Sequence, residues 1–293
     1  MVTTPSHPCH TVRIGTRRTV PRRACHAGPV TKQPVAAEPV PVEAGPDRRT
    51  LRAEVLLVLA VSLGQSGIYA LVDLIGKLTA SKALAQQNAT LNASQAPGRP
   101  WLDLTYQLLG IAFAVVPALL AMHLLGRSGR PASRTIGLDL RRPWFDLGSG
   151  AAVALAIGIP GLGLYFAARA LGLAANVVPS ALPSVWWAIP VLVLSAIQNA
   201  VLEEVVVLGY LVTRLRQLDW RLPAVVLTSA LLRGSYHLYQ GFGGFVGNAV
   251  MGVLFALFFL RVRRVAPLVV AHSLLDIGAF VGYDLLHGHV SWL

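Results

Sequence analysis

The sequence predicts an all-α fold, a polytopic bundle of about seven transmembrane helices with its N-terminus in the cytoplasm. Three observations predict it. First, 54% of the 293 residues are hydrophobic and only 13% are charged, where a soluble domain carries roughly a quarter; the mean hydropathy is +0.59. Second, seven apolar segments follow one another at 54–76, 103–126, 147–172, 184–213, 222–240, 243–260 and 265–286. Each is near the ~20 residues that cross a bilayer core as a helix. Third, the basic residues alternate. Twenty Lys and Arg lie in the N-terminal stretch and every second loop, against three (Lys77, Lys82 and Arg99) in the remaining loops. That asymmetry puts the rich side in the cytoplasm and the C-terminus outside.

Residues 1–50 are rich in Pro, Arg, Thr and Val, without an apolar period or a run suited to a signal peptide. They read as a disordered cytoplasmic tail ahead of a transmembrane domain over 51–293. The tail holds the two cysteines, in Cys9-His10 and Cys25-His26, whose spacing matches no established zinc pattern. The first span ends in an external loop with two sequons, at Asn88 and Asn92. Abundant Ala, Val, Leu and Arg point to a bacterial inner (plasma) membrane, where no glycan is expected on them. The second and third spans carry hydropathy alone. The fourth, 184–213, is long enough to tilt or to run past the membrane. The fifth holds Arg233 and His237, the sixth Asn248, and the seventh His272 and Asp276. The formal charge of +12 sits between apolar runs, so the bilayer, not nucleic acid, is the partner it implies. The oligomeric state has no signature in the sequence.

Glu203 and Glu204 are the sharpest feature. Between Trp186 and Val212 they are the only charged residues, and an ionised carboxylate at the centre of a span costs at least ~2.5 kcal/mol. Glu203 lies 11 residues before Arg214, ~16 Å along a helix, too deep to snorkel. As helical neighbours the two side chains diverge by about 100°, so one is expected to face a cavity and the other a packing partner. A carboxylate in that setting suits general-base activation of water. Arg233 and His237 share a helix face four residues apart, and a buried arginine needs an anion, for which Glu203 or Glu204 is the natural partner. His272 and Asp276 repeat that spacing. They fit a metal-ligand pair, an oxyanion-stabilising pair, or an aspartate that orients an imidazole. Asn248 reads as a helix-to-helix hydrogen bond.

The order Glu-Glu, then His about 33 residues on, then His-x-x-x-Asp in a later span resembles the CPBP intramembrane protease family. That family includes type II CAAX prenyl endopeptidases and relatives linked to bacteriocin immunity. The likeness covers about 184–286. The family's first motif, Glu-Glu-x-x-x-Arg, here has Leu208 in place of the arginine, and its second, Phe-x-x-x-His, has Arg233 in place of the phenylalanine. The third is intact. The resemblance implies a catalytic set of Glu203, Glu204, His237, His272 and Asp276, with Arg233 and Asn248 in support. Glu203 and His237 would activate water, and His272 and Asp276 would stabilise the oxyanion. It implies an endopeptidase acting near the cytoplasmic side of the membrane on a membrane-associated protein or peptide. If the chemistry is metal-dependent, Glu203, His237 and His272 would hold a zinc ion; the same residues also serve a metal-free glutamate protease, the reading favoured here.

Two other functions use the same residues. Deep Glu, His, Asp and Arg form proton relays in coupled transporters, although no internal repeat of the transporter kind is evident. A non-catalytic immunity or scaffold protein is the other, supported by the missing motif arginine.

Overall fold

The computed structural model describes residues 46–127 and 129–286; the tail to residue 45, with Cys9 and Cys25, lies outside them. Helix α1 (Arg48–Ala60) begins inside the expected tail, capped by Asp47, whose carboxylate accepts from the Thr50 amide at 2.7 Å. After a 47° bend α2 (Leu63–Thr79) continues the first apolar segment. Then come β1 (Asn88–Ala93), α3 (Pro100–Ala114), α4 (Val116–Gly126), the short α5 (Ala132–Ile136) and α6 (Pro143–Ala170). They are followed by β2 (Asn176–Ala181), α7 (Ala188–Glu203), a π-helical stretch (Glu204–Val212) and α8 (Thr213–Gln217). The chain ends with α9 (Leu222–Ser235), α10 (Phe242–Val262) and α11 (Ala266–Leu286).

The bundle is helical, and the seven apolar segments map onto its helices in order. Among the described residues, five helical stretches are long and apolar enough to cross a membrane: 100–126, 143–170, 188–217, 242–262 and 266–286, with α1–α2 a sixth if the bent pair is one span. The chain is therefore a multi-pass membrane protein. The expected fifth span differs. Its helix, α9, stops after 14 residues, ~21 Å against a ~30 Å hydrocarbon core. The chain turns through a 3₁₀ stretch at Leu238–Gln240 and Gly241, at φ +98°, where only glycine is unstrained. Position 237 is thus in a turn rather than midway along a span.

The two loops read as plain connections hold the other difference, a two-stranded parallel sheet. Asn88 pairs with Asn176 and Ala93 with Ala181. β-Propensity does not explain β1, which is mostly Asn, Ala and Thr, and β2 carries a proline beside its two valines; their anchors do. The Asn176 amide donates to Gln87 O at 2.8 Å, the Asn92 side chain to Pro179 O at 2.8 Å, and the Val177 amide to the Tyr165 hydroxyl at 3.1 Å.

Helix 188–217 is the axis of the bundle. Two thirds of its apolar window is buried, against 17% for 100–126 and 11% for 143–170, whose bare apolar faces suit lipid. Val205, Val206, Val207, Leu208, Leu211 and Val212 are fully packed by α1, α4, α5, α9, α10 and α11. Close approach between helices depends on small residues. At Gly150 a Cβ would lie 2.6 Å from Pro267 O, pressing α6 off α11; at Gly252 it would lie 2.9 Å from Ala230 Cα and 3.4 Å from the Arg233 side chain.

Hydrogen bonds tie the arginine-bearing connections together at one end. Arg48 donates to Leu218 O at 2.8 Å. Arg214 reaches Leu124 O at 2.8 Å and Glu54 at 3.1 Å, and Arg127 pairs with the same Glu54. Arg264 clamps Asp146 at 2.6 Å and Asp139 at 3.0 Å. Charges this buried persist only when paired. The opposite end is joined by Arg169 to Ala85 O at 2.9 Å, Gln107 to Ala93 O at 2.9 Å, and the Ala175 amide to Gln240 O at 2.9 Å.

Candidate active site

Four elements deliver the polar groups singled out above. Helix α7 ends at Glu203, and the π-helix begins at Glu204. Hydrogen bonding of the i→i+5 kind widens the coil there, as it often does at functional sites. The two carboxylates take different environments: Glu203 lines a cavity of about 870 Å³, while Glu204 has no exposed surface. Both still meet Arg233 of α9. Its Nη1 lies 3.3 Å from Glu203 Oε2, and its Nη2 pairs with Glu204 Oε1. The guanidinium is fully buried and lies over the Phe255 ring at 5.1 Å, so aromatic and carboxylate partners replace water around it.

His272 of α11 is held from the same side. Its Nδ1 is 2.8 Å from Glu204 Oε1, leaving Nε2 at 4.0 Å from Glu203 Oε2 and 3.6 Å from Asp276 Oδ1. Because a carboxylate only accepts, Nδ1 carries the proton. His237 follows the same logic in the turn after α9: its Nδ1 lies 2.9 Å from Arg233 O, a carbonyl that also only accepts. Its Nε2 is left as the ring's free nitrogen. The ring packs between Tyr236, at 4.8 Å between centroids, and Tyr239, at 6.4 Å. The cluster thus sets one guanidinium against three carboxylates, and its neutrality requires two added protons, held among the imidazoles and the acids.

Glu203, His237, His272 and Asp276 all line the cavity. Glu204 and Arg233 lie behind that wall. Asn248 does not join them: its amide donates to Gly244 O of its own helix at 3.0 Å, rather than across to another helix. Leu208 is fully buried in the apolar core.

Sequence reasoning missed three neutral groups. Tyr236 donates to Glu203 Oε2 at 2.8 Å, and Asn199 reaches Asp276 Oδ2 at 3.5 Å. Gln198 lines the cavity beside them. A signal for two of these was present. Ser195, Gln198 and Asn199 recur at i, i+3 and i+4 on α7, a polar stripe on a helix otherwise apolar. Tyr236 had none.

Chemically, the wall offers a carboxylate (Glu203) and two imidazoles (His237 and His272), each ring held through Nδ1 with its Nε2 remaining for chemistry. Carboxylate and ring atoms of Glu203, Glu204 and His272 also lie within 4.8 Å of one another, near enough for one cation.

Residues 185–278 match the family model described as type II CAAX prenyl endopeptidase Rce1-like. The stretch runs from α7 through the body of α11 and contains every one of the polar groups above. The resemblance read from the three motifs is therefore borne out over this part of the chain. No curated protein matches the chain, and no solved structure does.

Proposed function

We propose that the protein is an intramembrane endopeptidase of the CPBP type that hydrolyses a peptide bond of a membrane-associated protein or peptide, in a bacterial plasma membrane. One observation carries this reading: Glu203, His237 and His272, from three separate elements, line a single cavity. Glu203, with His237 Nε2, takes a proton from water as the oxygen attacks the scissile carbonyl. His272, held by Glu204 through Nδ1 and beside Asp276, presents Nε2–H to the oxyanion as an imidazolium. On collapse of the tetrahedral intermediate the C–N bond breaks, and the proton held by the Glu203–His237 pair passes to the leaving amine. Arg233 and Glu204 are positioning residues, and Tyr236 fixes the Glu203 carboxylate.

The compact cluster of Glu203, Glu204 and His272 does not suit a divalent cation. Arg233 already supplies positive charge to both carboxylates, and Glu204 Oε1 is occupied by the His272 ring. An added ion would press against a guanidinium that has nowhere to move. No step is therefore assigned to zinc, whether held by that cluster or by Glu203, His237 and His272.

The test compares cells carrying the wild-type chain with cells carrying Glu203→Gln by mapping new protein N-termini in their membranes. Removal of a general base lowers turnover about 10²–10⁴-fold, so fragments present with wild type should vanish. A non-catalytic immunity or scaffold role is the second reading, favoured by Leu208 at the motif-arginine position. Full biological effect in Glu203→Gln would select it. Proteoliposomes separate a proton-coupled transporter, since cleavage needs no gradient.

A further inference from the structure

The cavity has a direction. Its wall is drawn from α2, from β1 and the loop after it, from the middle of α3, from α7, from the turn after α9, and from α11. Gln95, Asn92 and Gln240 mark its mouth; they sit at the end of the bundle joined by Arg169, Gln107 and the β1–β2 pair. Among the described residues, none of the arginine-bearing connections lines it. The way to that other end is filled. Below Glu203 the π-helical residues Val205–Val212 are buried among Val58, Leu125, Ile136, Val225 and Phe259. Under that floor lie the ion pairs of Arg214 with Glu54 and of Arg264 with Asp146. Among the described residues, the route from the arginine end is therefore closed, and the polar approach to the site lies at the opposite end. Twenty basic residues against three place the arginine end in the cytoplasm.

From this we infer that the site is loaded from the extracytoplasmic face and that its occupant is a polar, unlipidated stretch of polypeptide. This reverses the cytoplasmic side expected from the sequence, and it rests on the hydrolase reading only for what happens after binding. The occupant follows from the wall. Gln65, Asn92, Gln95, Gln107, Gln198 and Gln240 supply uncharged amides along the approach. Among the described residues, Gln65 and Gln198 present amides with no bond inside the protein, and the carbonyl oxygens of Asn92, Gln95, Gln107 and Gln240, whose N–H groups already donate to neighbours, remain to accept from an extended peptide backbone. Leu63, Leu91, Ile111, Leu202 and Phe280 lie between these amides, and an isoprenoid chain laid on them would strip water from the amides without returning a hydrogen bond.

The entrance is tested without turnover. In the full chain with Cys9→Ser and Cys25→Ser, single cysteines replace Gln95, Gln198 or Arg216, with Gln107→Cys as a second probe of the wall should Gln198→Cys not accumulate. A membrane-impermeant maleimide is then applied to intact cells and to inverted vesicles. Positions 95 and 198 (or 107) should react only in intact cells, and position 216 only in inverted vesicles. Labelling of the wall cysteine from the cytoplasmic face, from both faces, or from neither overturns the inference. The occupant is read from Glu203-dependent new N-termini, which should map to extracytoplasmic segments without lipid attachment. Their mapping to cytoplasmic or prenylated segments rejects the occupant. Their complete absence rejects the hydrolase reading, while the labelling pattern decides the side of entry independently.

Discussion

Replacing Arg233 with methionine removes the guanidinium that meets both glutamates, while keeping an unbranched side chain of comparable reach. Arg233 has no exposed surface, Glu204 has none, and Glu203 is buried beside them. Breaking a buried ion pair by removing one partner costs about 3–5 kcal/mol, because the other charge is left uncompensated. Here two carboxylates lose their partner, and the ring of Phe255 loses a cation worth about 0.5–2 kcal/mol. These terms overlap, so we expect a total near 3–5 kcal/mol, roughly a hundredfold or more in the folding equilibrium. Denaturation of the purified protein in mixed micelles, followed by tryptophan fluorescence, reads it directly. Arg233→Met combined with Glu204→Gln should be less destabilised than Arg233→Met alone, since an uncharged amide is cheaper to bury than a carboxylate. A loss under about 1 kcal/mol in the single variant, or simple addition in the double, would show that the guanidinium is not what holds these acids in place.

Further expectations concern the same residues. Arg233→Phe should abolish cleavage, and adding Leu208→Arg should restore it if the two motif departures compensate each other; equal inactivity of both rejects compensation. Tyr236→Phe removes the donor to Glu203, and a hydrogen bond to a charged group is worth about 1.5–3 kcal/mol. If that bond serves the transition state, kcat should fall roughly ten- to a hundredfold, and an unchanged kcat makes Tyr236 packing only. Treatment with chelators followed by gel filtration should leave turnover intact, because the site is proposed to work without a metal; loss restored by Zn²⁺ would refute that chemistry.

Much of this architecture was legible because lipid simplifies the code. Against an apolar background, Glu203, Glu204, Arg233, His237, His272 and Asp276 stand out one by one, and the helix limits follow hydropathy to within a few residues. What hydropathy does not encode is hydrogen-bond geometry. Nothing in Val205–Val212 distinguishes a π-helix from an α-helix by composition. Nor does the apolar content of Leu222–Ser235 announce that the chain turns at Tyr236 instead of continuing to residue 240. Counting along the helices leaves His237 at a different depth from the other groups, and the turn removes the basis of that count. Asn88–Ala93 and Asn176–Ala181 carry weak strand signals, and partners far along the chain supply what propensity lacks. Tyr236, Asn199 and Gln198 escape notice for an energetic reason: neutral polar groups are tolerated within helix bundles and stand out less than charges.

The π-helical stretch also sets a length tolerance on the gene. It separates Glu203 from Arg214, and those two residues answer to different neighbours: one to the cavity, the other to Glu54 and the Leu124 carbonyl. Excising a single valine from Val205–Val207 would leave the segment as greasy as before. Relaxation to ordinary α-helical winding would then leave the two ends of the axis helix in register, because the wide i→i+5 turn is what takes up the extra residue. A one-codon deletion there is thus predicted to be milder than the same deletion within α7, where no wide turn absorbs the change.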